Sequence, residues 1–150
     1  MTSVRVAAID CGTNSIRLLI TEIDGNQKVD ELRQMRVVRL GQGVDETKTL
    51  APEAIERTLS ACREYASAIA AVGVDVVSFA ATSAVRDASN AREFGDAVEQ
   101  ILGVRPQVLS GEAEASASFE GATGESAKVL TTVIDLGGGS TEVVQGFGTP

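Results

Sequence analysis

Ile9-Asp10-Cys11-Gly12-Thr13-Asn14-Ser15 and Ile134-Asp135-Leu136-Gly137-Gly138-Gly139-Ser140 are two copies of one short design, matching in register at four of seven positions. Each copy follows an apolar run and precedes another, Ile16 to Ile23 in the first case and Val143-Val144 in the second, so each reads as strand, turn, strand. Glycines in such a turn allow φ > 0 and remove side chains, which lets successive backbone N–H groups converge on a phosphate oxygen. Thr13, Ser15 and Ser140 add hydroxyls. An aspartate at the end of the first strand would repel phosphate, and makes sense when a divalent cation, normally Mg²⁺, lies between them and keeps most of its waters. This reading nominates Asp10 and Asp135 as metal-associated acids. Gly12, Thr13, Asn14, Ser15, Gly137, Gly138, Gly139 and Ser140 become the phosphate grip. Either motif alone is equally an ordinary glycine-rich turn, and it is the duplication that favours chemistry. Other phosphate signatures fail: Lys48-Thr49 follows Thr47 where the Walker pattern needs Gly, and no G-x-G-x-x-G opens a helix.

The composition narrows what these residues can be asked to do. The 150 residues suit one domain of ordinary size, and 43% hydrophobic with 23% charged residues is globular composition. Thirteen basic residues against 21 acidic ones leave a net charge of -8, which argues against unassisted binding to nucleic acid or an anionic membrane. Histidine is absent, so acid-base chemistry must use carboxylates. Cys11 and Cys62 are too few for a disulfide scaffold and read as small buried groups in a reducing compartment. No apolar stretch approaches the roughly 18 residues needed to span a bilayer, and the expectation is a cytoplasmic protein.

The elements that must position the two turns follow from patterning. Val4 to Ile9, Ile16 to Ile23 and Lys28 to Leu40 read as three consecutive antiparallel strands. Pro52 opens a helix whose apolar positions Ile55, Leu59, Cys62, Ala66 and Ile69 keep helical spacing until Gly73. Asp75 to Ala80 reads as a buried strand, and Asn90 with Glu93 as a capping box before Phe94, Val98, Ile101 and Leu102. Val104 to Leu109 is the next strand, after which Ser110 caps a helix over about 111–121. The order is βββαβαβα, then ββ. The expected organisation is a first lobe over 1–121, a linker at 122–128, and the start of a second lobe over 129–150.

Paired hairpins of this kind resemble the actin, Hsp70 and sugar-kinase superfamily, in which two ribonuclease-H-like lobes clasp phosphates. Within it, four ordered segments resemble motifs of the Ppx/GppA family of exopolyphosphatases and guanosine pentaphosphate phosphatases. They are Asp10 to Ser15, Ala81-Thr82-Ser83-Ala84-Val85-Arg86-Asp87-Ala88, Ser110-Gly111-Glu112-Ala113-Glu114-Ala115, and Asp135 to Glu142. The likeness runs from about Val4 to Gly146 but covers only part of the family's two-lobed core. It implies an α/β, actin-like lobe followed by the first hairpin of a second similar lobe.

The resemblance also implies roles. Glu114 matches the catalytic carboxylate that orients and deprotonates water, although Ala113 stands where many relatives have another Glu. Read alone, Glu114 would also serve as an acid complementing a helix dipole. Asp135 and Glu142 match metal-associated acids, with Asp10 facing them. Arg86 matches a phosphate-contacting arginine, against the simpler reading of a surface Arg paired with Asp87. Thr82, Ser83 and Asn90 are weaker candidates. The implied activity is release of terminal phosphate from polyphosphate or guanosine pentaphosphate (pppGpp) with Mg²⁺ or another divalent cation. Homodimers are common in such families. Two rivals stay open at this point: a kinase or ATPase using the same hairpins on ATP, and a folded half-site that binds phosphate without turnover.

Overall fold

The computed structural model describes residues 3–124 and 129–147. Three antiparallel strands open it: β1 (Val4–Cys11), β2 (Ser15–Asp24) and β3 (Gln27–Val37). A one-turn helix α1 (Val44–Thr47) leads to the long helix α2 (Pro52–Val72), then to β4 (Val76–Ala81). A second one-turn helix α3 (Ser83–Arg86), helix α4 (Ala91–Leu102), the two-residue strand β5 (Gln107–Val108) and helix α5 (Gly111–Thr123) complete the first lobe. The sheet runs β3-β2-β1-β4-β5, with β1 parallel to β4 and β4 parallel to β5. Three meandering strands followed by parallel crossovers give the ribonuclease-H-like arrangement that the sequence led one to expect.

Strand alternation sorts this sheet into a dry face and a working face. Ala7, Ile9 and Cys11 of β1 and Ile16, Leu18 and Ile20 of β2 are buried in a core shared with Leu59, Cys62 and Tyr65 of α2 and Phe94 and Val98 of α4. Tyr65 donates from its hydroxyl to the carbonyl of Ile16 at 2.9 Å, a buried bond that ties α2 to the strand just after the first turn. Asp10 and Arg17 alternate with these positions and face the other way. Helices α2 and α4 end where the sequence says they should. Pro52 sits at the start of α2, and Gly73 and Gly103 close α2 and α4 with φ of 78° and 71°, a region that disfavours any side chain.

One expectation needs correcting. Asn90 occupies the N-cap of α4 but makes no side-chain cap bond. Its amide instead brackets the backbone of Leu50, accepting from the Leu50 N–H at 2.9 Å and donating to the Leu50 carbonyl at 3.0 Å. Both polar ends of the side chain are engaged with the loop before α2, so no capping box with Glu93 forms.

Ser110 does cap α5, accepting from the Ala113 N–H at 3.2 Å. The helix runs on to Thr123, through the first residues expected to form the linker. The remainder of that stretch, 125–128, lies outside the described residues. Beyond it, β6 (Thr131–Leu136) and β7 (Thr141–Gly146) pair antiparallel as a separate two-stranded sheet that packs on α5. Thr131, Val133 and Asp135 of β6 and Glu142 and Val144 of β7 are half-buried on the side toward α5. Ile134, Leu136 and Val143 point outward, 61%, 78% and 66% exposed. No helix among the described residues is long and apolar enough to cross a membrane.

Candidate active site

The two glycine turns are closed by the same bond. Gly12 N–H donates to the Ser15 carbonyl at 3.0 Å, and Gly137 N–H donates to the Ser140 carbonyl at 3.0 Å. Each bond consumes the amide of the first glycine, so an anion must draw on amides within the turns, those of Thr13, Asn14, Gly138 and Gly139. The first turn is braced from behind. Val38 and Arg39 N–H both donate to the Asn14 carbonyl at 2.9 Å, and Gly41 N–H to the Thr13 carbonyl at 2.9 Å. Thr13 Oγ1 lies 2.9 Å from Ser83 Oγ, which fixes its side chain against α3.

The second turn then rests on the first. A methyl group at Gly138 would stand 3.4 Å from the Cβ atoms of Thr13 and Asn14. One at Gly139 would stand 2.7 Å from Thr13 Oγ1 and 3.0 Å from Ser83 Oγ, closer than packing tolerates. Gly139 is therefore required by the close approach of the Thr13 and Ser83 side chains, whereas a methyl group at Gly138 would meet the first turn at ordinary contact distance.

Between the turns opens a cleft of about 630 Å³. Asp10, Gly12, Thr13, Asn14 and Ser15 form one wall, and Asp135, Gly137, Gly138 and Ser140 another. Thr82, Ser83 and Glu114 reach it from the first lobe, along with Arg17 and Ser118. Arg86 stands behind Glu114, outside that lining. Its Nη1 donates to the Leu109 carbonyl at 2.8 Å and to Glu114 Oε2 at 3.2 Å, in place of the pairing with Asp87 that the sequence offered as the simpler reading. Gly139 lies at the contact between the tips, Glu142 stands across the hairpin from Asp135, and Asn90 is occupied at Leu50.

Enclosure sets the electrostatics. Burial pushes the Glu114 carboxyl above its ordinary range, the Arg86 hydrogen bond and charge pull it back, and Glu142 and Asp135 push it up again. Asp10 is likewise raised by burial, with Arg17 opposing and Asp135 reinforcing the shift. Asp135 thus acts on Asp10 from the opposite wall of the cleft.

The hairpins differ in one respect. Asp10 is paired across its hairpin with Arg17, and Asp135 across its own with Glu142. Side chains so paired lie about 5 Å apart at Cβ, where like charges destabilise a sheet and opposite ones support it. The first acid carries its own counter-charge, and the second faces another acid. That donor set, hard carboxylate oxygens beside hydroxyls, fits Mg²⁺. Among the described residues no three acidic or thiol side chains gather into one metal-binding group.

A profile of the Ppx/GppA phosphatase family matches residues 19–149. The chain belongs to that family. Its Ppx/GppA relatives include exopolyphosphatase 2 of Mycobacterium tuberculosis, 47% identical over 157 residues that take in 97% of this chain and 49% of the relative. The crystal structure of an exopolyphosphatase-like protein superposes with a TM-score of 0.92 at 51% identity, covering 97% of this chain and 46% of that one. An Aquifex aeolicus member of the Ppx/GppA family gives 0.84 at 36% identity, covering 98% and 48%. This Ppx/GppA chain therefore spans about half the length of the relatives it matches. Its actin-like fold is shared with them.

Two polar cleft residues of this Ppx/GppA chain, Arg17 and Ser118, escaped the sequence reading. Arg17 was recoverable: extending the repeat two residues past Ser15 and Ser140 aligns Arg17 with Glu142 and puts each opposite its hairpin's aspartate. Ser118 carries no local signal beyond its position one turn after Glu114 on α5.

Proposed function

We propose that this chain supplies the phosphate grip and the general base of a hydrolase that releases terminal inorganic phosphate from inorganic polyphosphate or, at the same anhydride, from pppGpp. The observation that carries this reading is the contact of Gly138 and Gly139 with Thr13 and Asn14 above a cleft that holds Asp10, Glu114 and Asp135. Turn amides and the hydroxyls of Ser15 and Ser140 hold the terminal phosphate in place. Glu114, kept ionised by Arg86, accepts a proton from water as the water oxygen bonds to the terminal phosphorus. The bridging P–O bond breaks and the shortened chain leaves with the electron pair. Mg²⁺ or another divalent cation, held through Asp135 and Glu142 with Asp10 facing them, would supply the positive charge that offsets the phosphate oxygens. Positioning and charge neutralisation then supply most of the acceleration, without a covalent nucleophile.

Buried free thiols at Cys11 and Cys62 support a reducing, cytoplasmic setting. The acidic balance of the chain supports a small or linear phosphate substrate in preference to nucleic acid. The pairing of two copies in solution is part of the same proposal, on the strength of family likeness.

The test compares phosphate release from polyphosphate, pppGpp and ATP, with and without Mg²⁺, by this chain and by a chimera that completes it with the remainder of the M. tuberculosis relative. Release from polyphosphate or pppGpp by the chimera is the expected outcome. ATP consumption with transfer to an acceptor would replace the hydrolase with a kinase. Glu114→Gln should retain phosphate binding and lower turnover by a factor of about 100 to 10,000, the usual worth of a positioned base. Near-normal turnover would remove Glu114 from the mechanism.

A further inference from the structure

Asp135 is held by a residue from another element. Ser118, on α5, donates from Oγ to Asp135 Oδ2 at 2.5 Å, and both side chains line the cleft. Ser118 follows Glu114 by four residues in the same helix, a spacing that stacks the two on one face. The helix that carries the candidate base therefore also grips the candidate metal acid. Asp10, by contrast, is held only by Arg17 of its own hairpin among the described residues, at 3.5 Å.

We infer that Ser118 is a positioning residue for cation binding, fixing the Asp135 carboxylate in the orientation a divalent ion meets. This rests on the metal role proposed above for Asp135. Left free, Asp135 would turn away from Glu142, which it faces across the hairpin and which repels it. A hydroxyl donating to a carboxylate makes a short, charge-assisted bond that opposes that rotation. It uses one lone pair of Oδ2 and leaves the others for a ligand. Carboxylates that bind metals are commonly held by such outer partners. The bond also links the Asp135 carboxylate to the helix that carries Glu114.

Mn²⁺ is the probe, titrated into this chain with inorganic phosphate present and read as free ion by electron paramagnetic resonance. Ser118→Ala should weaken binding about tenfold or more, the usual effect of removing an outer-shell partner. Ser118→Thr, which keeps the hydroxyl, should bind as the parent does. Unchanged affinity in Ser118→Ala overturns the inference. So does an equal loss in Ser118→Thr, because side-chain volume and not the hydroxyl would then be responsible. Asp135→Asn separates the two layers of the argument. If it binds Mn²⁺ as well as the parent, or if the parent binds none, the metal role of Asp135 fails and takes the inference with it. If Asp135→Asn loses binding while Ser118→Ala keeps it, the role of Ser118 alone is wrong. Thermal unfolding without metal, run in parallel, reports any loss of fold separately.

Discussion

A carboxylate that works as a base must be enclosed and still ionised, demands that pull in opposite directions. Glu114, the base proposed above, meets both because Arg86 stands behind it. Burial and the neighbouring Glu142 and Asp135 raise the Glu114 carboxyl, and Arg86 lowers it. A base with a raised pKa loses activity as pH falls through that value, so the acid limb of the rate profile should lie above the ordinary glutamate value of 4.5. Arg86→Gln removes the lowering influence, so the limb should move to still higher pH and the loss of rate should be greatest in acid. A pH profile of the chimera checks this, and an unmoved limb would mean that another group titrates. Legibility at this scale depended on whether a role was written locally. Asp10, Asp135 and the glycines announce themselves by repetition, whereas Ser118 is a helix serine until its partner, 17 residues away, is known. Arg86, for which the family likeness implies a phosphate contact, donates to the Leu109 carbonyl and to Glu114, partners its sequence neighbourhood could not show.

Elements carry the next level of constraint, and here the sequence spoke clearly where periodicity had room to develop. The long helix from Pro52 and the succession of strands and longer helices emerge from spacing and turn residues. The one-turn helices at Val44–Thr47 and Ser83–Arg86 do not, since four residues hold no periodic signal. The Asn90 and Glu93 pair fits a capping box in one dimension, but tertiary contact with Leu50 outcompetes it. The two hairpins are the elements on which the proposed function turns, and the approach of Gly139 to Thr13 is close enough to test with one methyl group. Gly139→Ala should drive the tips apart, because Thr13 Oγ1 and Ser83 Oγ occupy the space. Inorganic phosphate binding, followed by calorimetry, should weaken by about tenfold or more if the misplacement approaches 1 Å. Far-UV circular dichroism should stay unchanged. Undiminished binding would mean that the anion does not need both turns together.

For the whole molecule, the second hairpin presents a problem that the first lobe does not have. The first lobe buries one sheet face under α2 and α4, but Ile134 and Val143, paired directly across β6 and β7, turn outward and are 61% and 66% exposed. Two-stranded sheets with uncovered apolar faces are marginal in water and tend to find partners. The chain alone should therefore self-associate as its concentration rises. Ile134→Lys with Val143→Glu, an opposite-charge pair on that face, should hold it monomeric in sedimentation velocity runs. A parent chain that stays monomeric at the same concentration would show that this face needs no cover. The duplicated turns have a subtler outcome. They share one shape and one closing bond, yet the residue across from the aspartate is basic in one hairpin and acidic in the other. Two identical jaws would accept a linear anion either way round. For the grip proposed above, jaws alike in form but unlike in charge would give the two sides of a bound phosphate different electrostatic surroundings, one partly neutralised and one doubly acidic.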